Sequence, residues 1–137
     1  MTKEQLKAYR EMKQERDDLS RRISELEAEM YGPRAQRLDG MPRGGSGENY
    51  VLEERMDNMG KLLDAYRAKE AELTSALVEI EQAIRVLEPR ECLLVRLHYI
   101  DGLTWEKVAV AMDYSWRQVH RIHSSALEKL REEATRP

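Results

Sequence analysis

Within YSWRQVHRIH, residues 114–123, the chain gathers one indole (Trp116), two guanidinium groups (Arg117 and Arg121) and two imidazoles (His120 and His123). Such a set could ligate a metal through the imidazoles, build a core from the rings, or meet an anionic partner through the arginines. His120 and His123 stand three residues apart, close enough on a helix to share an ion, and His98 is available as a third. No Cys, Asp or Glu accompanies them on that face, whereas structural zinc takes four ligands. Neither a metal nor any other cofactor is expected, and contact with a partner or ordinary packing is the economical role for the histidines.

Nucleophilic and acid–base chemistry has as little support. The single cysteine, Cys92, lies in the apolar run CLLV and reads as a buried thiol, with no second cysteine for a disulfide. There is no G-x-x-x-x-G-K-[ST] phosphate loop and no nucleophile elbow, and the acidic residues are scattered along polar segments at salt-bridge spacings. An enzyme is therefore not expected. The start, MTKEQLKAYREMKQERDD, is charged from its third residue and carries no apolar run, so neither a secretion signal nor a membrane span is expected, and the cytoplasm is the expected location.

The elements that must position the decapeptide can be read from periodicity. With 36% charged residues and no Phe, the composition suits long exposed helices better than a large central core. Five of the seven glycines and two of the four prolines fall in GPRAQRLDGMPRGGSG, which predicts a loop over residues 32–48. Its Arg34, Arg37 and Arg43 either decorate a solvated connector or touch a partner.

After this loop, apolar residues recur at alternating steps of four and three from Leu52 to Leu87, broken only by Glu70. A shorter seam runs Tyr9, Met12, Arg16, Leu19, Ile23, Leu26, Met30, broken only by Arg16. Each seam has one charged interruption, and the two are opposite in sign. An antiparallel hairpin through the loop, in the register that joins Arg16 to Glu70, would also set Ile23 against Leu63 and Met12 against Leu73. A seam ion pair adds little net stability but penalises slipped registers. The rival is a parallel dimer, in which Glu70 would face its own copy.

The heptads end at Leu87. Pro89 disfavours helix at Glu88 yet suits the first position of a new one, so residues 1–87 are expected to form the hairpin or coiled coil and residues 88–137 a separate domain. Leu93, Leu94, Leu97 and Ile100 are expected on one buried face of the leading helix, stopped by Asp101 and Gly102. Thr104 can cap the next helix, and Ser115 with Gln118 forms a capping box for the one after. Only Asp113 and Tyr114 separate these two helices, so they must cross sharply, as in a helix-turn-helix. Val108, Met112, Val119 and Ile122 face inward, Ala109 allows close approach, and Asp113 takes the positive-φ turn position. Trp105, at the first position of its helix, is expected to be partly buried, with phosphate contact by its indole N–H as the alternative. The expected class is all-α: an N-terminal antiparallel helical hairpin or coiled coil followed by a C-terminal helix-turn-helix.

From LEPRECLLVRLHYIDGLTWEKVAVAMDYSWRQVHRIHSSALEKLR, residues 88–131 resemble the region-four helix-turn-helix of bacterial sigma factors, which reads a promoter hexamer and contacts RNA polymerase. The whole chain, with LDGMPRGGSG between two polar helices ahead of that module, resembles small phage and prophage regulators described as sigma-like or ArpU-like. The sequence departs from typical sigma modules in having Trp116 and His120 where charged residues often stand. The other promoter-binding regions of a complete sigma factor are also missing.

The resemblance implies a sequence-specific DNA-binding transcriptional regulator of phage or prophage late genes, with double-stranded DNA as partner and RNA polymerase as a further one. Through its alignment, Arg117, His120 and Arg121 are assigned to base edges, and Trp116 to a sugar or a thymine methyl. Ser115, Ser124 and Lys129 are assigned to phosphates. In residues 115–131, Arg117, Arg121, Lys129 and Arg131 outnumber the single acid, Glu128, giving a locally basic helix in a chain of net charge −3. The N-terminal helices would form a homodimer or hold a partner. Two alternatives are a coiled-coil adaptor that uses the helix-turn-helix as a protein-binding surface, and a factor that recognises DNA for phage packaging.

Overall fold

The computed structural model describes residues 1–32 and 47–136. Every regular element among them is helical, as the sequence patterns predict. Helix α1 spans Lys3–Tyr31 and α2 spans Gly47–Ala83, followed by a 3-10 turn at Ile84–Val86. Helix α3 covers Pro89–Val95 and runs on into a wider π turn at Arg96–Ile100; α4 is Trp105–Met112 and α5 is Trp116–Ala134. Of the expected loop at 32–48, residues 33–46, with Arg34, Arg37 and Arg43, lie outside the described residues, and Gly47 and Glu48 already belong to α2.

The chain divides into two compact units, Gln14–Ala71 and Met1–Lys13 with Glu72–Pro137. In the first unit, α1 and α2 meet in the predicted register: Arg16 Nη1 donates to Glu70 Oε1 at 2.9 Å. Lys69 Nζ lies 2.9 Å from Glu15 Oε2 beside it. The Arg16 and Glu70 side chains are 26% and 39% exposed, so water screens the pair and its net worth is about 0.5–1 kcal/mol. The pairing lies within one chain, as the antiparallel hairpin expects. Ile23 and Met30 are buried on this seam, whereas Leu52 and Met56 at the start of α2 are exposed.

In the second unit, Leu6 and Tyr9 of α1 join Leu73, Ile80, Ile84 and Leu87 in a core that also takes Val95, Tyr99, Ala126 and Leu130. The first turns of α1 thus pack with α3 and α5. Below them, Lys13 Nζ donates to the Ile100 carbonyl and Arg10 Nη2 to that of Gly102. Two cations thereby satisfy carbonyls where the π turn ends, and they oppose the negative end of the helix dipole. A second cluster, Leu94, Val108, Val119 and Ile122, is flanked by Leu97, Leu103, Trp105, Ala109, Met112 and Tyr114.

Between these clusters, α3 and its π turn bury two faces rather than one. Leu94 serves the second cluster, while Val95 and Tyr99 serve the first. The expected single face of Leu93, Leu94, Leu97 and Ile100 is corrected here: Leu93 is 44% exposed, and His98 and Tyr99 are buried in the π turn. The wide turn, closed by the Asp101 N–H on the Arg96 carbonyl at 2.8 Å, shifts the side chains that follow it off a 3.6-residue period.

Glu91, 1% exposed, is the buried acid of this unit. Its Oε1 accepts from the Glu88 N–H at 2.9 Å and from Lys129 Nζ at 2.8 Å, tying the start of α3 to α5. Burial pushes its carboxyl up, but the Lys129 ammonium and the Glu88 N–H outweigh burial and hold it below the usual range.

Two stability measurements follow. In urea unfolding, Arg16→Glu should cost about 1 kcal/mol, and adding Glu70→Arg should restore most of it; an unrecovered double variant contradicts the register. Leu6→Ala should destabilise by about 2–5 kcal/mol and shift the Trp105 fluorescence transition, although residue 6 is far from the helix-turn-helix in sequence.

Candidate nucleic-acid interface

The start of α5 is built by its caps. Ser115 Oγ accepts the Gln118 N–H at 3.2 Å, and Gln118 Oε1 accepts the Ser115 N–H at 2.9 Å, the reciprocal box predicted from the sequence. Thr104 Oγ1 accepts the Lys107 N–H at 3.3 Å and starts α4 in the same way. Between them Asp113 adopts φ 57°, ψ 43°, the left-handed conformation expected of it. The Tyr114 N–H donates back to the Ala109 carbonyl at 3.1 Å, closing α4 before α5 begins. Val108 and Val119, both fully buried, and Ile122 hold the two helices together across this turn.

With Val119, Ile122, Ala126 and Leu130 turned inward, the outer face of α5 begins with Trp116, Arg117, Arg121 and Ser124, all exposed. Neither Arg117 nor Arg121 has an ion-pair partner among the described residues, so both guanidinium groups are free to engage an external anion. Arg121 also lines a shallow cleft of about 300 Å³ with Arg90, Glu91, Tyr114, Gln118, Ile122 and Ser125. A capped, cation-flanked helix start of this kind presents backbone N–H groups and positive charge to phosphate.

Residues 83–132 match the family model "Sigma-70, region 4". Over these residues the chain is similar to the region-four helix-turn-helix, a DNA-binding module associated with transcription regulation. No curated protein and no solved structure matches the chain.

On this helix-turn-helix scaffold the seven residues assigned from sequence occupy different settings. Trp116, 61% exposed, Arg117, Arg121 and Ser124 share the outer surface near the helix start. Ser115 is exposed and already accepts a cap hydrogen bond, leaving its own hydroxyl proton as a donor. His120 is only partly exposed and sits between tryptophans, with ring centroids 3.9 Å from Trp116 and 5.1 Å from Trp105. Lys129 is drawn away to Glu91, with Glu88 3.9 Å distant, so its ammonium already has an anionic partner inside the protein.

The sequence showed least about His123, which proves to be buried. Its Nε2 lies 2.7 Å from the Tyr99 hydroxyl, the contact that joins the π turn to α5. Burial is the first cause that lowers its pKa, to about 4, and the same burial raises the Tyr99 phenol to about 12. Both groups are therefore neutral at pH 7, and the natural arrangement has the phenol donating to the imidazole. His98, also lowered by burial, bonds through Nδ1 to the Leu103 carbonyl at 2.8 Å and stacks on Trp105 with centroids 3.7 Å apart. Trp105 is partly buried, as expected, and its stacking partner is this histidine. Among the described residues no group of three or more His, Cys, Asp or Glu is placed to hold a metal ion.

The His123 shift gives a stability prediction with a definite sign. The unfolded chain binds a proton near pH 6.5 and the folded chain resists it until about pH 4, so the contribution of neutral His123 is present above pH 6.5 and is lost as pH falls through that window. The lowered His98 acts in the same direction. Melting temperature should drop between pH 7 and pH 4.5, and His123→Gln, which can still accept from Tyr99 but does not titrate, should flatten that slope. An unchanged slope would contradict the buried neutral assignment.

Proposed function

We propose that this protein is a sequence-specific transcriptional regulator of phage or prophage late genes, in which residues 88–137 read double-stranded DNA. On this reading Arg117 and Arg121 address base edges, Ser115 and Ser124 address phosphates, and Trp116 lies against the duplex between them. The N-terminal helices pair two copies or hold a partner, and RNA polymerase is the partner that the region-four resemblance suggests. Lys129 is assigned to Glu91 rather than to phosphate, because taking it to DNA would strip a buried carboxylate of its cation.

The observation that carries the proposal is the capped start of α5: two exposed arginines without an ion-pair partner among the described residues, and an exposed indole, lie on the outer face of a helix-turn-helix that matches region four. A recognition helix offers its N-terminal residues to base edges, and arginine takes guanine O6 and N7 in two bonds. Few cations take part, so a monomer should bind with modest affinity and a shallow salt slope, and a second copy or polymerase would supply the rest.

The test is selection from a random duplex pool by the purified full chain, with and without RNA polymerase. One motif should be enriched. Arg117→Ala or Arg121→Ala should weaken binding to it by about 1–3 kcal/mol and relax one position, and the double variant should abolish selection. If no motif is enriched under either condition, the DNA-reading function is wrong.

A further inference from the structure

Trp116 is large, apolar and 61% exposed at the first position of α5, where water gains nothing from it. Its ring is nevertheless well supported. Trp116 contacts His120 at a centroid distance of 3.9 Å, and His120 lies 5.1 Å from Trp105. Trp105 is stacked on His98 at 3.7 Å and meets His123 at 4.5 Å, and His123 is hydrogen-bonded to buried Tyr99. A continuous column of rings thus runs from the core of the unit to the exposed indole. Nε2 of His120 is buried without a hydrogen-bond partner among the described residues, and that edge of the imidazole is held by ring packing.

We propose, on the basis of the DNA-reading function above, that the exposed face of Trp116 reads the 5-methyl group of thymine and that His120 is a positioning residue holding the indole for it. The surroundings select the occupant. Arg117, Arg121 and the positive end of α5 flank the ring and favour a polyanion over an apolar protein surface. At the start of a recognition helix the ring meets the major groove, where the thymine methyl is the apolar feature on the base edges. A deoxyribose offers carbon too, but it belongs to every nucleotide and would give no preference. A ring already held by its neighbours loses little freedom on contact, which favours a small apolar gain. His120 accordingly acts through Trp116 and not by hydrogen bonding to a base.

Replacing thymine by deoxyuridine removes that methyl and nothing else. Each thymine of the selected duplex is replaced in turn, and the affinity of the full chain is measured for wild type, Trp116→Ala, His120→Phe and His120→Ala. Wild type should lose about fourfold at one or two thymines, the value of one buried methyl. Trp116→Ala should bind thymine and deoxyuridine duplexes equally; its side chain is exposed, so the fold should persist, with circular dichroism as the check. His120→Phe, which keeps a flat ring beneath the indole, should retain the discrimination, and His120→Ala should lose most of it.

Wild type indifferent to every replacement overturns the proposal, as does a methyl preference that survives Trp116→Ala. Discrimination lost in His120→Phe but kept in His120→Ala overturns the positioning role. Failure to enrich any motif in the first place is a separate outcome that defeats the DNA-reading function itself, and this inference with it.

Discussion

Three residues, Asp113, Tyr114 and the capping Ser115, separate α4 from α5, and the direction of α5 depends on them. A connection this short leaves the chain little freedom: Asp113 must enter the left-handed region, at a steric cost that aspartate bears better than most residues. The Tyr114 N–H then returns to the Ala109 carbonyl, and the Ser115–Gln118 box starts α5 at once. Val108, Val119 and Ile122 convert the crossing into a packed contact. The outward set of Trp116, Arg117, Arg121 and Ser124 follows from the same helical phase that buries Val119 and Ile122. Turning α5 to present another face would bring the arginines into the apolar cluster, where an unpaired guanidinium costs far more than any exposed contact returns.

The surrounding structure keeps that crossing in place from two sides. Helix α3 lies between the cluster under the turn and the core containing Leu6 and Tyr9, so the first turns of α1 support the same helix that supports α4 and α5. Polar ties add orientation to this burial. Lys129 reaches Glu91 across α3 and α5, Tyr99 meets His123, and Arg10 and Lys13 hold the carbonyls just before α4. Such contacts contribute modestly in net free energy, and the buried one, Tyr99 with His123, would leave expensive orphans if broken, which favours one packing over its neighbours.

The local features were legible in the sequence because their signals are local. Thr104, Ser115 and Gln118 cap through bonds spanning three residues, and Asp113 has few conformational equivalents. Arg16 and Glu70 were legible over a longer distance for a different reason: each is the sole polar interruption of a regular seam, and one register satisfies both. Periodicity says that a face is buried but not what covers it. It could not reveal that residues 3–13 complete the C-terminal core, or that α3 has two buried sides with a π turn between them. No local signal marks Glu91 as buried, because its partner, Lys129, lies 38 residues away. His123 could not be assigned until Tyr99 was seen beside it. On α5 itself, Lys129 and His120 were assigned through the sigma-like resemblance, and an alignment does not show the carboxylate beside the one or the two indoles beside the other.

The proposed function requires that the start of α5 be the surface that meets DNA. The most direct measurement is an NMR titration of the isotope-labelled full chain with the selected duplex, following the backbone amides and the indole N–H resonances. The account predicts that residues 115–124 and the Trp116 indole shift first and most, with Gln14–Tyr31 nearly unchanged at a one-to-one ratio. Shifts concentrated in the N-terminal helices, with the Trp116 indole and the Arg117–Arg121 amides unmoved, would contradict it.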